Sequence, residues 1–245
     1  MTGVGLGVDT PLTFRSALKR LDTAQKPGVG VPAYTRWVNR RAARFFAAAF
    51  AHIGASPSMV SVVSIVATLA GLTAFVALQP ISPLLAGLAC AILLAIGYAL
   101  DSADGQLARL QRTSSLRGEW LDHTLDAVRL PAVHLTVAAG FLVIGMPSAA
   151  VVAAAFSVIA SAGFLSQNVG GLLRDNSSAE RIEVRPLQSW ILLPTDPGVL
   201  CWVFLLWGAT PLFTAAYLLL ALANLAHIVL SARRRWSELG RSARS

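Results

Sequence analysis

Residues 101–126 read DSADGQLARLQRTSSLRGEWLDHTLD and place four aspartates between two long segments that carry no charge. The whole chain has only 12 acidic residues. Carboxylates at the point where a chain enters and leaves an apolar phase cost free energy, unless a cation or a catalytic task offsets that cost. This stretch therefore predicts both a membrane fold and a chemically active acidic site at its edge. The four aspartates are Asp101, Asp104, Asp122 and Asp126.

The composition on either side of this stretch is typical of an integral membrane protein. Of the 245 residues, 55% are hydrophobic and 13% are charged, and the mean hydropathy is +0.63. No Asp, Glu, Lys or Arg occurs in 45–100, 130–173 or 197–232. A transmembrane helix needs about 20 apolar residues, so each of these three blocks is long enough for two helices.

Turn-forming residues interrupt each uncharged block near its middle. They occur at 79–83 (QPISP), 145–148 (GMPS) and 208–211 (GATP), where Gly and Pro favour chain reversals. The pattern predicts an all-α integral membrane protein built from three helical hairpins. Its six transmembrane helices are expected at about 59–78, 84–106, 118–143, 149–171, 192–208 and 212–232.

The segment that precedes the first span predicts an N-terminal amphipathic interfacial helix at Tyr34–Phe50. Basic side chains recur on one stripe of this helix and apolar ones on another. The basic stripe contains Arg36, Arg40 and Arg44, and the apolar stripe contains Val38, Ala42, Phe45 and Phe46. The helix is expected to lie on the cytoplasmic leaflet, and the alternative is a soluble helix that caps the bundle.

The predicted organisation has three parts. Residues 1–57 form a cytoplasmic arm and the interfacial helix, with 1–33 as a loosely packed arm. Residues 58–232 form the six-helix membrane domain, and 233–245 form a basic cytoplasmic tail.

The distribution of basic residues predicts the orientation in the membrane. Nineteen of the 20 Lys and Arg residues fall on one side of the six predicted spans, and the three mid-block turns contain none. By the positive-inside rule, both termini and the acidic site face the cytoplasm of a multi-pass cell-membrane protein. The net charge of +8 suits an anionic lipid surface, and no segment resembles a nucleic-acid-binding module, so no nucleic-acid partner is expected.

Helical periodicity brings the acidic residues together. Asp101, Asp104 and two small residues, Gly105 and Ala108, fall within about 100° of arc on the second span. Gly118, Asp122 and Asp126 follow one face of the third span, which is the antiparallel neighbour of the second. Hard cations such as Mg²⁺ prefer oxygen ligands and often link carboxylates to substrate phosphates. The alternative is that the acids only pair with Arg109, Arg112, Arg117 and Arg129, although this would not explain the small residues.

The spacing D-x2-D-G-x2-A-R-x8-G-x3-D-x3-D from Asp101 to Asp126 resembles the signature of the CDP-alcohol phosphotransferase family at all eight of its specified positions. The predicted six-span layout is similar to that family over most of the chain. Family members transfer a phosphate-linked alcohol from a CDP-alcohol to an acceptor hydroxyl and release CMP, usually in phospholipid synthesis. They also tend to form homodimers, so the resemblance implies a homodimer.

The resemblance also implies roles for single residues. Asp101, Asp104, Asp122 and Asp126 are expected to hold one or two divalent ions, Mg²⁺ or Mn²⁺, against the donor diphosphate. Asp126 is expected to be the general base, which takes the proton from the acceptor hydroxyl. The predicted CDP pocket consists of Gly105, Ala108, Arg109 and Gly118.

The donor and the acceptor stay open at the level of sequence. The pairs Gly118-Glu119 and Asp122-His123 are similar to the choline and ethanolamine phosphotransferase branch, which uses a CDP-amino alcohol and diacylglycerol. The short chain and the excess of Arg over Lys, 18 to 2, favour a bacterial enzyme, and bacterial members mostly use CDP-diacylglycerol. We therefore expect a phosphatidyl group to pass from CDP-diacylglycerol to a polar alcohol.

Two residues beside the motif are candidates for acceptor binding. Arg129 lies three residues after Asp126, where it can meet an acceptor phosphate or form a salt bridge with Asp126 or Asp122. His123 can assist proton transfer or bind a substrate, but a histidine next to an acidic ligand is often only a supporting partner.

A function of another class, a cation or proton transporter, also uses carboxylates within a membrane. A transporter would place them near the midplane and on several helices. In this sequence they cluster at one predicted edge.

Overall fold

The computed structural model of the protein describes residues 13–23, 28, 30–173 and 186–242. Within these ranges the chain is helical and has no β-strand. The helices are α1 (Phe14–Thr23), α2 (Arg40–His52), α3 (Pro57–Leu78), α4 (Pro83–Gln111), α5 (Leu116–Val143), α6 (Pro147–Leu172), α7 (Pro186–Ile191), α8 (Pro197–Val203) and α9 (Thr210–Ser242). A π-helical turn at Thr35–Asn39 precedes α2, and 3₁₀ turns occur at Leu193–Thr195 and Phe204–Leu206.

A serine cap marks the start of three of the long helices, α3, α4 and α5. Ser56, Ser82 and Ser115 each accept a hydrogen bond from the backbone N–H of the third residue after them, at the starts of α3, α4 and α5. Proline occupies the first turn of α3 and α4, where its missing N–H costs nothing. The predicted turns are therefore real helix boundaries.

Five helices are long and apolar enough to cross a membrane: α3, α4, α5, α6 and the Thr210–Gly240 part of α9. They correspond to five of the six predicted spans and confirm an all-α membrane fold. The acids of 101–126 belong to α4 and α5, which correspond to the second and third predicted spans and are joined by the short polar loop between them. The predicted boundaries agree with the structure at most of the turns.

The remaining predicted span, 192–208, is not one long helix. Pro194 and Pro197 divide it into short pieces because proline cannot donate a helical hydrogen bond, and its longest apolar stretch is Pro197–Leu206. At one end of the segment, the Phe204 carbonyl oxygen and Trp207 lie against Gly87 of α4. At its other end, Asp196 is linked to Tyr98 of α4, because the Thr35 hydroxyl contacts both side chains. The segment therefore follows α4 for about 16 Å, roughly half of a bilayer core. A count of six spans is thus not confirmed by helix length.

The N-terminal region is more closely packed than predicted. Helix α1 lies inside the range expected to be a loose arm, and its Ala17 and Leu21 are fully buried. They pack in one cluster with four buried alanines of α2 and with Leu100, Ala103 and Leu107 of α4. An ion pair between Arg44 and Asp22 joins α1 to α2. The rest of the predicted arm, 1–12, 24–27 and 29, lies outside the described residues, and the interfacial position of the Tyr34–Phe50 helix stays a prediction.

A carboxylate outside the acidic motif anchors this N-terminal region to the bundle. Asp196 accepts hydrogen bonds from the Thr35 backbone N–H (2.7 Å), the Thr35 hydroxyl (2.8 Å) and the Gly198 N–H (3.0 Å). The hydroxyl groups of Thr35 and Tyr98 lie 2.7 Å apart. This network fixes the start of the 192–208 segment one helical turn from Asp101.

An aromatic cluster closes the end of the bundle opposite the acids. Phe75, Phe141, Phe204, Trp207, Phe213 and Tyr217 are almost fully buried and contact one another. Near the middle of both helices, α3 and α4 approach closely at Gly97, where an added Cβ would lie 2.5 Å from the Thr68 hydroxyl oxygen. This close approach brings the polar side chains of α3 next to the acidic residues of α4.

Candidate active site

Three of the four predicted aspartates converge at the end of the α4–α5 hairpin. One carboxylate oxygen from each of Asp101, Asp122 and Asp126 lies within 4.8 Å of the other two. We call these three residues the aspartate triad. The side chains of Asp101 and Asp126 are only 17% and 27% exposed. Three oxygen ligands at this separation match the preference of hard divalent cations.

A tight reversal between the two helices positions the triad. Arg112 ends α4 in the left-handed conformation, with φ of 57°, and the Thr113 N–H donates to the Ala108 carbonyl oxygen at 2.9 Å. Ser115 then caps α5 through the Gly118 N–H. The chain therefore turns within a few residues. Helices α4 and α5 both pack against α3, and their acidic side chains meet at the triad.

Arg129 is the immediate counter-charge of the triad. Its Nη1 donates to Oδ1 of Asp101 at 2.7 Å and to Oδ1 of Asp126 at 2.6 Å. Its Nη2 donates to the Ser64 hydroxyl at 2.6 Å, and Ser64 in turn donates to the Gly97 carbonyl oxygen. The guanidinium, predicted as a possible acceptor ligand, is thus engaged by both acidic helices and by α3.

Asp104, the fourth predicted metal ligand, lies outside the triad. It is three residues from Asp101, so its side chain is rotated about 60° around α4 and turns toward α3. There it is buried and accepts a hydrogen bond from the Ser61 hydroxyl at 2.5 Å. It still interacts electrostatically with Asp101 and Asp122, so it adds negative charge beside the triad.

The predicted CDP-pocket residues lie on α4 and at the start of α5, and the two glycines among them have few neighbours. An added Cβ at Gly105 would meet only Nη1 of Arg109, at 3.5 Å, and one at Gly118 would meet only the Ser115 hydroxyl oxygen, at 3.4 Å. Ala108 is partly buried on the same helix. The Nε of Arg109 is buried and has no hydrogen-bond partner. The pocket therefore offers an unsatisfied cationic donor beside two positions with no side chain.

His123 does not turn toward the triad. Its Nε2 lies 4.0 Å from Glu119, and its ring faces Phe164 of α6 with centroids 6.2 Å apart. The side chain is 45% exposed. It lies at the boundary between α5 and α6, on the side of Asp126 that is opposite to Arg129.

Several residues of the site were not predicted. From α3, Ser61 donates to Asp104 and Ser64 accepts from Arg129. Arg40 of α2 acts electrostatically on Arg109. The role of the two serines could have been predicted, because with Thr68 they form a polar stripe at helical spacing in an otherwise apolar helix. The proximity of Arg40 to Arg109 could not have been predicted, since nothing in the sequence around Arg40 indicates contact with α4.

A cavity of about 310 Å³ opens beside α5 and was also not predicted. Its walls come from α5, α6, the 192–200 segment, α9 and the two residues Gly30 and Pro32 before α2. The polar and aromatic wall residues are His134, Phe156, Phe164, Gln167, Thr195, Asp196, Asn224 and His227. Such a mostly apolar cavity with a few convergent polar groups is typical of a small-molecule site.

Comparison with known proteins identifies the class of protein. The family model of the CDP-alcohol phosphatidyltransferases matches residues 54–233, nearly three quarters of the chain. The protein therefore belongs to the CDP-alcohol phosphatidyltransferase family, as the sequence motif predicted. The matched region includes the aspartate triad, Arg129 and most of the cavity wall. No curated protein matches the chain.

Membership gives the general activity. The protein is a transferase that acts on a CDP-alcohol in a membrane, and its site contains three carboxylates that could bind a metal ion. Its particular substrates do not follow from the family.

Proposed function

We propose that this protein transfers a phosphatidyl group from CDP-diacylglycerol to the hydroxyl group of a polar alcohol and releases CMP, as a divalent-metal-dependent enzyme of phospholipid biosynthesis. The observation that carries the proposal is the aspartate triad, because it gathers three oxygen ligands on the two helices that also carry Gly105 and Gly118. Helix ends with this much negative charge are costly in a membrane unless they bind a cation.

The residues present fit a hard divalent ion. Asp101, Asp122 and Asp126 would hold Mg²⁺ or Mn²⁺ through carboxylate oxygens, and Asp104 would contribute negative charge from its place beside Ser61. A bound ion would neutralise the donor diphosphate and the departing CMP. The oxygen-only character of the triad supports these ions over zinc, which prefers nitrogen and sulfur ligands.

The pocket beside the triad is suited to the nucleotide diphosphate. Arg40 and Arg109 are two positive charges near each other, an arrangement that an anion between them would stabilise. The unpartnered Nε of Arg109 is a donor available to a phosphate oxygen. Gly105, Ala108 and Gly118 leave room for the donor to approach the helix backbones.

Asp126 is proposed as the general base. In the reaction, the acceptor hydroxyl oxygen forms a bond to the donor phosphorus that carries the diacylglycerol. The bond from this phosphorus to the CMP oxygen breaks, and CMP leaves with the electron pair. The hydroxyl proton passes to the Asp126 carboxylate. Asp126 is more exposed than Asp101, which supports its access to a substrate.

A second candidate is a choline- or ethanolamine-phosphotransferase-like enzyme with a CDP-amino alcohol as donor and diacylglycerol as acceptor. It is supported by the pairs Gly118-Glu119 and Asp122-His123. Ion transport is less well supported, because the metal-capable cluster in the described part of the chain lies only on α4 and α5, at one end of each helix. The proposal also includes the location and assembly of the protein. We propose a homodimer in the cell membrane, with the active site and both termini in the cytoplasm and with the chain divided into parts at residues 57 and 232.

A donor and acceptor screen tests the function. Purified protein in lipid nanodiscs would be given Mg²⁺ and either CDP-diacylglycerol or CDP-choline, with a panel of alcohols, and CMP would be followed by mass spectrometry. We expect CMP release with CDP-diacylglycerol and a polar alcohol, and release about 10²–10⁴ times slower with Asp126→Asn under the same conditions. Release only with CDP-choline and diacylglycerol would favour the second candidate. Metal-ion flux into liposomes with no CMP release from either donor would favour transport.

A further inference from the structure

The 310 Å³ cavity lies directly deeper in the membrane than the proposed base. Leu130 and His134 of its wall follow Asp126 by one and two turns, about 6 Å and about 12 Å farther along the same face of α5. Phe164, another wall residue, contacts the ring of His123 on the preceding turn. A molecule in this cavity would therefore have one end about one helical turn, roughly 6 Å along α5, from Asp126.

The opposite wall of the cavity reaches the other acidic helix. Asp196 belongs to this wall and is linked through Thr35 to Tyr98, which lies one turn before Asp101. One wall of the cavity thus belongs to α5, and the opposite wall is linked by hydrogen bonds to α4.

The polar groups in the cavity wall are suited to hydroxyl groups. Nδ1 of His134 lies 2.7 Å from the Tyr217 hydroxyl, which leaves Nε2 as the ring nitrogen that can bond to a ligand. The amide nitrogen of Asn224 donates to the carbonyl oxygens of Leu220 and Pro194, which leaves its side-chain oxygen as an acceptor. These two neutral groups can form hydrogen bonds with the hydroxyl groups of an uncharged alcohol.

The charge of the wall is unfavourable for an anion. In the part of the chain that the structure describes, no Lys or Arg lines the cavity, and Asp196 adds a carboxylate to it. Two arginines lie near the wall without lining it. The guanidinium of Arg129 is turned toward Ser64 and the triad, and Nη1 of Arg235 donates to the carbonyl oxygen of Gln167 at 3.1 Å. A phosphate buried in this cavity would lose its hydration without gaining a cation, which is costly.

From these observations we infer that the cavity is the acceptor site and that it selects an uncharged alcohol over a phosphorylated one. The inference rests on the proposed function and specifies its acceptor. The volume of about 310 Å³ is at the lower end of the range for small-molecule sites, as expected for one hydroxylated group.

An uncharged alcohol has two chemical sources, and the experiment separates them. In one arm the protein receives Mg²⁺, CDP-diacylglycerol and either myo-inositol or myo-inositol 1-phosphate, and in a parallel pair either glycerol or glycerol 3-phosphate. In the second arm it receives CDP-choline and either diacylglycerol or its phosphorylated counterpart, phosphatidic acid. We expect CMP release to be at least about tenfold faster with the uncharged member of a pair.

A cavity-filling variant with a matched control tests the location. Ala160 of α6 lines the cavity, whereas Ala162, two residues away, is exposed on the outer surface of the same helix. Ala160→Phe should raise the KM for the acceptor at least about tenfold by occupying its space, and Ala162→Phe should leave it unchanged. Ala160→Val, which adds less volume, should give a smaller increase and serves if the phenylalanine variant does not fold.

Donor binding distinguishes the possible failures. Binding of the CDP-alcohol in Mg²⁺ is measured separately by calorimetry and should be the same in all three variants, because the substitutions lie away from Gly105 and Arg109. Absence of donor binding to the unmodified protein would overturn the proposed function together with this inference. Donor binding with faster turnover of the phosphorylated alcohols, or with no turnover of any uncharged one, would overturn the inference alone. Equal acceptor KM values for Ala160→Val and the unmodified protein would contradict binding of the acceptor in this cavity.

Discussion

Nη1 of Arg129 lies 2.6 Å from Oδ1 of Asp126 and forms a buried ion pair with the residue proposed as the general base. The same nitrogen also contacts Asp101 on the neighbouring helix, so one guanidinium holds two ligands of the proposed metal site in place. Arg129 is therefore a positioning residue for the triad, and its charge stands close to where a divalent ion would bind.

Replacement of Arg129 should make stability depend on the metal. Arg129→Met leaves Asp101 and Asp126 buried near each other with no counter-charge, which should lower the free energy of unfolding by about 3 kcal/mol in chelator. Added Mg²⁺ should restore much of this loss, because it replaces the missing charge. Thermal unfolding in EDTA and in Mg²⁺ measures the effect, and Arg129→Lys is the control that keeps the charge. A loss of equal size in both buffers would mean that Arg129 serves packing only.

Removal of divalent metal should stop the reaction. The triad consists only of carboxylates, and these repel the donor diphosphate unless a cation lies between them. CMP release from a CDP-alcohol should therefore vanish in excess EDTA and return with Mg²⁺ or Mn²⁺. Full activity in the chelator would contradict the metal site.

Two isosteric substitutions should separate the base from a ligand. Asp126→Asn keeps the size of the side chain but removes the proton acceptor, so turnover should fall by about 10²–10⁴ while the donor still binds. Asp101→Asn should weaken metal binding and donor binding together. The two variants are compared by CMP release and by calorimetric titration of metal and donor. If Asp126→Asn kept near-normal turnover at saturating Mg²⁺, His123 would be the next candidate for the base.

Cysteine labelling should establish the orientation. Single cysteines near residue 20, at Ser114, near Ser178 and at Ser242 should react with an impermeant reagent only from the cytoplasmic side. Cysteines at Ser82, Ser148 and Thr210 should react only from outside. The native Cys90 and Cys201 are buried, so the unmodified protein provides a low background. A reversed pattern at any one loop would contradict the predicted topology.

The acidic site could be predicted because it depends mainly on local geometry. Asp101, Asp122 and Asp126 lie on two helices joined by a short loop, so periodicity alone brings them together. The same reasoning placed Asp104 with them, but it could not show that the Ser61 hydroxyl on α3 binds this carboxylate. Contacts between helices that are distant along the chain depend on packing, and a single sequence does not specify them.

The 192–208 segment shows a different limit. The charge-free block that begins at Pro197 predicted a continuous span that extends back across Asp196 to residue 192. Pro194 and Pro197 instead divide it, and Asp196 caps the following helix through the Gly198 N–H. Proline and a capping aspartate were present as signals, but average hydropathy concealed them. The cavity could not be predicted at all, since its wall combines residues from five separate parts of the chain.

The guanidinium of Arg129 has a consequence for biosynthesis. It pairs with Asp101 of α4 and Asp126 of α5, and the Ser64 hydroxyl that holds it belongs to α3. These three helices leave the ribosome before α6 and α9 do. Uncompensated carboxylates oppose entry into lipid, so we expect Arg129 to offset part of their charge as α4 and α5 enter the bilayer during translation. The proposed catalytic acids would thus be assembled before most of the wall that would select the alcohol has been synthesised.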